Sequence, residues 1–238
     1  MIFNKNIFMK KNKITIAYPH YNSIDSLKKQ IEVWNSYPNR LKKYINIVIV
    51  DDCSKEDISQ YLRGLSINVA LYQIDEDLVW NDGGAANLSM HAAQTEWVLR
   101  TDIDYVVPVE TIEYLVNTTF TPKRYFTFNA KYYHNKEIID IHPSTIFIRK
   151  KVFFDAGGYD EDFTGNYGYT DICFIKRLNR ISKEKHLDNV YIEALLGGST
   201  HSLIRDNKKN YQLLLKKINE GLPIPTSHFR YKWHKVEL

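Results

Sequence analysis

The chain has 238 residues, enough to bury one substantial core, and its 44% hydrophobic and 13% aromatic content excludes an intrinsically disordered protein. A net charge of +4 with scattered basic residues argues against a nucleic-acid-binding protein while mildly favouring phosphate-bearing partners. Cys53 and Cys173 stand in no metal or redox spacing, the opening "MIFNKNIFMKKNK" has no signal-peptide core, and no run reaches the roughly 20 apolar residues that span a bilayer, so a cytoplasmic, reducing setting is expected.

The first half alternates short β-rich runs with amphipathic segments, the grammar of an α/β domain with a mainly parallel sheet. "ITIAY" at 14–18 predicts a strand; Ile24, Leu27, Ile31 and Trp34 then share a helical face. "INIVIV" at 45–50 is a second strand, nearly continuous in apolar residues, and "INVALYQI" at 67–74 a third. A helix is expected over 84–94 and a fourth strand over 96–100. Each polar loop thus follows a strand's carboxyl end, the edge at which open α/β sheets bind ligands. Beyond Pro108 come a helix through "VETIEYLVN", β-rich "RYFTFNAKYY" and "STIFIRK", a glycine-rich loop, a helix over 169–181 and an amphipathic helix over 206–218. Neither an internal repeat nor a low-complexity linker interrupts the chain, which predicts one globule.

The chemistry is concentrated in the loops. "WVLRTDIDYVVP" ends an apolar run in Asp102 and Asp104, whose side chains face the same way in an extended chain. At roughly 4 Å their repulsion is about 4 kcal/mol at the effective dielectric of a cleft, so the pair calls for a cation, and hard oxygen ligands suit Mn²⁺ or Mg²⁺. The alternative is a solvated turn in which one Asp caps the next helix. In "VDDCS", Asp51 and Asp52 can accept hydrogen bonds from a base or a ribose, or else one of them is an N-cap. "WNDGGAANLSMHAA" sets Asp82, Gly83 and Gly84 at the start of a helix carrying Asn87, where the backbone can approach an anionic ligand closely. In "AGGYDEDFTGNYGYTD", glycines permit a tight loop while Tyr159, Tyr167 and Tyr169 offer faces to a sugar, with Asn166, Gly168 and Thr170 beside them.

The order "ITIAYPHYNS", "IVIVDDCS", "NDGGAANLSMHAA", "WVLRTDIDYVVP", "AGGYDEDFTGNYGYTD" resembles the family 2-like glycosyltransferases of GT-A fold, from about residue 13 to residue 180. The carboxyl half, "GGYDEDFTGNYGYTD" followed by "THSLIRDNKKN", is similar to that of manganese-dependent galactosyltransferases. The resemblance implies a Rossmann-like mixed sheet, a nucleotide-binding half at about 13–107, an acceptor-binding half at about 108–205, and a C-terminal helix and tail at 206–238. It implies that Tyr18, Pro19 and Tyr21 open the nucleotide pocket, that Asp51 or Asp52 holds the base, and that Asp102, Ile103 and Asp104 form the nucleotide and metal motif. Asp171 is implied as the catalytic base and His201 as a further metal ligand, with Arg205 and Lys208 close enough to neutralise the diphosphate. The chain departs from the family pattern in three places. Thr170 replaces the glutamate of the Glu-Asp base motif, Cys53 the glycine of "DDGS", and Ala86 the basic residue before the helical Asn87.

The activity so implied is transfer of a sugar, with inversion, from a nucleotide donor, UDP favoured, to a hydroxyl of a glycan, glycolipid or glycoprotein. The alternatives are a non-catalytic sugar-nucleotide or glycan-binding module, and a sugar-1-phosphate nucleotidyltransferase. The latter needs a glycine- and arginine-rich N-terminal phosphate loop, absent from "IAYPHYNSIDSLKK". The basic, aromatic tail from Phe229 to Trp233 offers a contact for an anionic membrane, against the simpler expectation that it packs on the domain.

Overall fold

The computed structural model describes residues 11–196 and 203–238. The first half runs β1 (Ile14–His20), α1 (Ile24–Ser36), α2 (Asn39–Lys42), β2 (Ile45–Asp51), α3 (Ser59–Leu62), β3 (Asn68–Ile74), α4 (Asp82–Ala92) and β4 (Trp97–Arg100). The second half runs β5 (Tyr105–Val106), α5 (Val109–Asn117), β6 (Arg124–Tyr132), β7 (Ile138–Ile139), β8 (Ile146–Arg149) and α6 (Lys150–Asp155), then a 3-10 turn at Glu161–Phe163. It closes with α7 (Thr170–Ile181), β9 (Lys183–Ala194), α8 (Lys208–Asn219) and β10 (Trp233–Val236).

All the strands join one sheet in the order β10-β3-β2-β1-β4-β8-β6-β9-β5, with β7 on β6. The block β3-β2-β1-β4 is parallel, and β8 continues it antiparallel to β4. Strict alternation along the central strands divides the core into two faces. Ile14, Ile16 and Tyr18 of β1, with Leu99 of β4 and Phe147 of β8, point toward α1 and α5, meeting Leu27, Trp34, Ile112 and Leu115. Ala17, Val98 and Ile148 point the other way, onto Ala86 and Met90 of α4 and Phe174 and Leu178 of α7. Burying each large apolar side chain stabilises the fold by about 1.5–3 kcal/mol. This two-sided burial explains why "INIVIV" carries almost no polar residue.

The expected elements recur with small shifts. The helix predicted at 84–94 starts two residues earlier, at Asp82, and the one predicted at 206–218 is Lys208–Asn219. The expectation for Asp102 and Asp104 needs correction. The strand stops at Arg100, and Tyr105 N–H donates to Asp102 O at 3.0 Å, so the two aspartates sit in a turn rather than in extended chain. The 12-residue β9 was not anticipated. The tail packs on the domain: β10 lies antiparallel on β3 and covers that edge, and buried Tyr231 donates its hydroxyl to Gly84 O at 2.5 Å. Among the described residues no helix is long and apolar enough to cross a membrane.

An acidic clasp holds the C-terminal segment. Asp160 pairs with Lys217 at 2.9 Å and Arg177 at 3.5 Å, and Asp162 with Lys217 and Arg230, both at 2.5 Å. Glu161 is buried and accepts from Asn87 Nδ2 at 2.9 Å and from the backbone N–H groups of Phe229 and Arg230 at 3.0 and 3.2 Å. Buried Asn210 of α8 shares its amide N–H groups among the carbonyls of Phe163, Asn166 and Gly168. The glycine-rich loop is thereby pinned from below.

Candidate active site

β1, β2 and β4 end at the same edge, which brings His20, Asp51 and the aspartate turn together. His20 Nδ1 lies 2.8 Å from Asp51 Oδ1, and Ser54 Oγ–H donates to the same oxygen at 2.5 Å. Asp52 accepts from Asn81 Nδ2 at 2.9 Å. Burial, reinforced by Asp82, Asp51 and Asp77 and opposed by the Asn81 hydrogen bond, raises its pKa to about 7. Cys53 holds φ +59°, the left-handed region that favours glycine and that explains the glycine of the family pattern. Of the other residues expected at the pocket, Tyr18 is wholly buried beneath α1 and donates to Gln30 Oε1 at 3.3 Å, so its ring belongs to the core. Pro19 is half-buried at the sheet edge, and Tyr21 donates to Asp77 at 3.1 Å.

The aspartate turn is built on a buried arginine. Arg100, 1% exposed, donates Nη1–H to Asp102 Oδ1 at 2.6 Å and to Ser144 O at 3.3 Å, with its guanidinium 5.4 Å from the Tyr159 ring centre. Ser144 Oγ–H donates to Asp102 Oδ2 at 2.8 Å, so both oxygens of Asp102 are held. Burial works against the ionised form of Asp102, but Arg100 foremost, then His142 and Ser144, outweigh it and lower its pKa. Asp104 has the opposite character. Its Oδ1 is buried without a hydrogen-bond partner, and burial together with the Asp102 charge raises its pKa to about 6. Between them Ile103 turns into the core and its carbonyl accepts from Gln30 Nε2 at 2.8 Å.

Asp171, in the first turn of α7, faces this turn. Its Oδ1 accepts from Ile172 N–H at 2.8 Å and its Oδ2 lies 3.8 Å from His142 Nε2, while His142 Nδ1 lies 3.8 Å from Asp102 Oδ2. Asp82, at the head of α4, belongs to the same acidic group. It keeps a face open to water, yet lost hydration, with Asp102 and Asp171 adding to it and Arg100 opposing, raises its pKa to about 6. The glycines after it serve packing. A Cβ on Gly83 would stand 2.7 Å from Thr170 Cγ2, and one on Gly84 2.3 Å from Asn81 Oδ1 and 2.7 Å from Tyr231 Cε1. Thr170 is itself buried over Gly83, and Asn87 is occupied by Tyr159 and Glu161.

The aromatic loop divides. Tyr159 is a core residue between Phe153 and Phe174, its buried hydroxyl without a partner. Tyr167 packs on Trp80 at 4.7 Å beneath Arg205, 5.4 Å from its ring centre, and Tyr169 packs on Tyr211 at 5.4 Å. Trp80 Nε1–H donates to Ile204 O at 3.0 Å, which brings the chain near Arg205 to the cleft. Lys208 starts α8, its N–H donating to Asp206 Oδ1 at 3.0 Å. His201, and with it residues 197–202, lies outside the described residues. Sequence reasoning missed Arg100, His142, Ser144 and Trp80. Arg100 had a signal, a charge at the end of an otherwise apolar strand; His142 and Ser144 had none beyond their place before "TIFIRK".

Among the described residues no group of three or more His, Cys, Asp and Glu side chains is arranged to hold a metal. The orphaned oxygen of Asp104 in a surplus of carboxylates nevertheless fits a hard divalent cation, which takes one or two protein carboxylates and completes its shell with water and phosphate oxygens.

A parallel sheet with acids at its carboxyl edge, continued past β4 by β8, β6 and β9 and facing a further aspartate at the head of α7, is the architecture of the GT-A fold. The chain belongs to glycosyl transferase family 2, whose model matches residues 15–187. Its fold is similar to that of S. aureus TarS 1–349 in complex with UDP-GlcNAc, at 17% identity over 87% of this chain and 66% of that one, with a TM-score of 0.64. It is similar to the mannosyltransferase PcManGT from Pyrobaculum calidifontis in complex with GDP-Man and Mn²⁺, at 13% identity over 87% and 61% with a TM-score of 0.57. GalNAc-T7 with UDP, GalNAc and Mn²⁺ matches at 13% identity over 89% and 50%, with a TM-score of 0.66. At these identities the likeness is one of fold, and the chain spans less than two-thirds of each of those proteins. No curated protein matches it.

Proposed function

We propose that this chain transfers a sugar from a nucleoside diphosphate donor to a hydroxyl of a glycan, glycolipid or glycoprotein, with inversion at the anomeric carbon. The observation that carries the reading is the meeting of the aspartate turn with Asp171 across His142, 3.8 Å from each. In this reading Asp51 and Asp52 accept from the base and ribose of the donor, with UDP favoured, and Arg205 and Lys208 neutralise its diphosphate. Asp104, beside Asp102, would hold Mn²⁺ or Mg²⁺, which supplies charge stabilisation to the departing diphosphate. His201 is a candidate for a further ligand. Asp171 Oδ2 takes the proton of the acceptor hydroxyl as the new O–C1 bond forms and the bond from C1 to the phosphate oxygen breaks. A single base on the acceptor side suits direct displacement. Asn166, Tyr167, Gly168, Tyr169 and Thr170 are the residues this reading assigns to the acceptor side, with Tyr159 supporting them from the core.

The test is a thermal-shift panel of UDP-GlcNAc, UDP-GalNAc and GDP-Man with and without Mn²⁺, followed by donor hydrolysis. A donor at 100 times its dissociation constant adds about 2.7 kcal/mol of stability. Asp171→Asn should lower turnover roughly 100-fold with donor affinity kept within a few fold. Absence of any metal-dependent shift or hydrolysis across the panel refutes the reading.

A further inference from the structure

His142 belongs to none of the acidic motifs, yet it links two of them. It lies in the loop between β7 and β8 with about half of its side chain, 51%, open to the cleft. The ring is fixed at one end by Ser144, whose Oγ stands 2.7 Å from Nδ1 and whose backbone N–H donates to Nδ1 at 3.3 Å. The single Ser144 hydroxyl proton goes to Asp102 Oδ2 at 2.8 Å, so it is the backbone N–H that holds Nδ1, and the Ser144 carbonyl accepts from Arg100. The Nδ1 edge is therefore tied to the floor of the aspartate turn. The Nε2 edge looks across at Asp171 Oδ2, 3.8 Å away. Asp171 Oδ1 is already engaged by Ile172 N–H, so Oδ2 is the oxygen turned toward the imidazole.

Asp171 has little else to orient it. Thr170 beside it is buried in packing over Gly83 and brings no charged group to the cleft. A separation of 3.8 Å exceeds a hydrogen bond, but contacts of this kind are often long without substrate and tighten in the complex. A closure of about 1 Å would bring Nε2–H onto one lone pair of Oδ2 and leave another for the acceptor hydroxyl.

We infer that His142 is a positioning residue for Asp171, aligning its carboxylate with the acceptor hydroxyl and tying it, through Ser144, to the aspartate turn. The inference rests on the reading of Asp171 as the base. It predicts an effect on the chemical step and little on nucleotide binding. It also predicts a stereochemical preference among amides, because glutamine carries its N–H groups near the place of Nε2 and asparagine near that of Nδ1.

The experiment compares the parent with His142→Ala, His142→Gln, His142→Asn and Asp171→Asn in donor hydrolysis with Mn²⁺, together with the Kd for UDP. Alanine and asparagine should lower kcat about 10-fold or more, with KM for the donor and Kd for UDP within two-fold, and glutamine should restore most of the rate. A full rate for His142→Ala, an equal loss for glutamine and asparagine, or a loss confined to UDP affinity overturns the inference. Asp171→Asn separates the two readings. If it keeps the parent rate, the base assignment itself fails; if it is inactive while His142→Ala is fully active, His142 alone is wrongly placed. A readout independent of turnover is the ¹⁵N shift of His142 Nε2 in the nucleotide-free protein. It should move on Asp171→Asn, and an unchanged resonance overturns the contact.

Discussion

Arg100 donates to Asp102 at 2.6 Å from inside the sheet, so the carboxylates of the aspartate turn are made unequal before any ligand arrives. Asp102 is held ionised, and Asp104 is left with an unpartnered oxygen and a raised pKa. Removing one partner of a buried ion pair leaves an uncompensated charge and costs about 3–5 kcal/mol. Arg100→Met should therefore lower Tm by roughly 6–20 °C at about 2–4 °C per kcal/mol. Adding Asp102→Asn to it should recover part of the loss, and an unchanged Tm in the single variant would contradict this account of the turn.

Asp104→Asn should leave the fold intact and abolish metal-dependent nucleotide binding. In metal-free buffer it also has a pH signature. The folded pKa of Asp104, about 6, lies above its ordinary value of 3.8, so the native state holds the proton more tightly than the unfolded chain. The associated stability is complete below about pH 4 and is lost as pH rises through about 6, by an amount on the order of 1–3 kcal/mol. Urea denaturation at a series of pH values should show the parent losing stability relative to Asp104→Asn across that window, and Mn²⁺ with UDP should restore it.

Gly83 lets α4 touch the first turn of α7. Gly83→Ala places a methyl 2.7 Å from Thr170 Cγ2, and overpacking of this kind costs about 1–3 kcal/mol. Thr170→Ser removes the opposing methyl, so the double variant should be more stable than Gly83→Ala alone by a positive coupling in a double-mutant cycle. Strict additivity of the two changes in ΔG would disprove the contact.

The acids of the clasp are structural. Glu161→Gln loses the charge that accepts two tail N–H groups, which should cost about 1–3 kcal/mol and raise hydrogen exchange across Phe229 and Arg230. Asp162→Asn should keep turnover near that of the parent, because Lys217 and Arg230 already neutralise it. A large fall in kcat for Asp162→Asn would make it a rival base.

The alternation of strands and helices is legible in the residues alone, because burial with period two or 3.6 is a local property written along the chain. "INIVIV" became the doubly covered β2, and "VETIEYLVN" coincides with α5 from Val109 to Asn117. The order of acidic loops at the sheet edge was legible for the same reason. Tertiary structure alone decided which polar groups are free to act. Asp160, Glu161 and Asp162 stand nine to eleven residues before Asp171 in the same glycine-rich stretch, yet partners from α7, α8 and the tail engage them. Tyr18 and Asn87 read as pocket residues, and long-range packing took both into the interior. β9 escaped notice because its first four residues are exposed and polar, and only pairing with β6 makes them a strand. His142 reached Asp171 through a fold that brings the loop before β8 over the head of α7. Such contacts depend on where distant segments meet, and a charge is free or neutralised according to its neighbours in space, which local periodicity does not record.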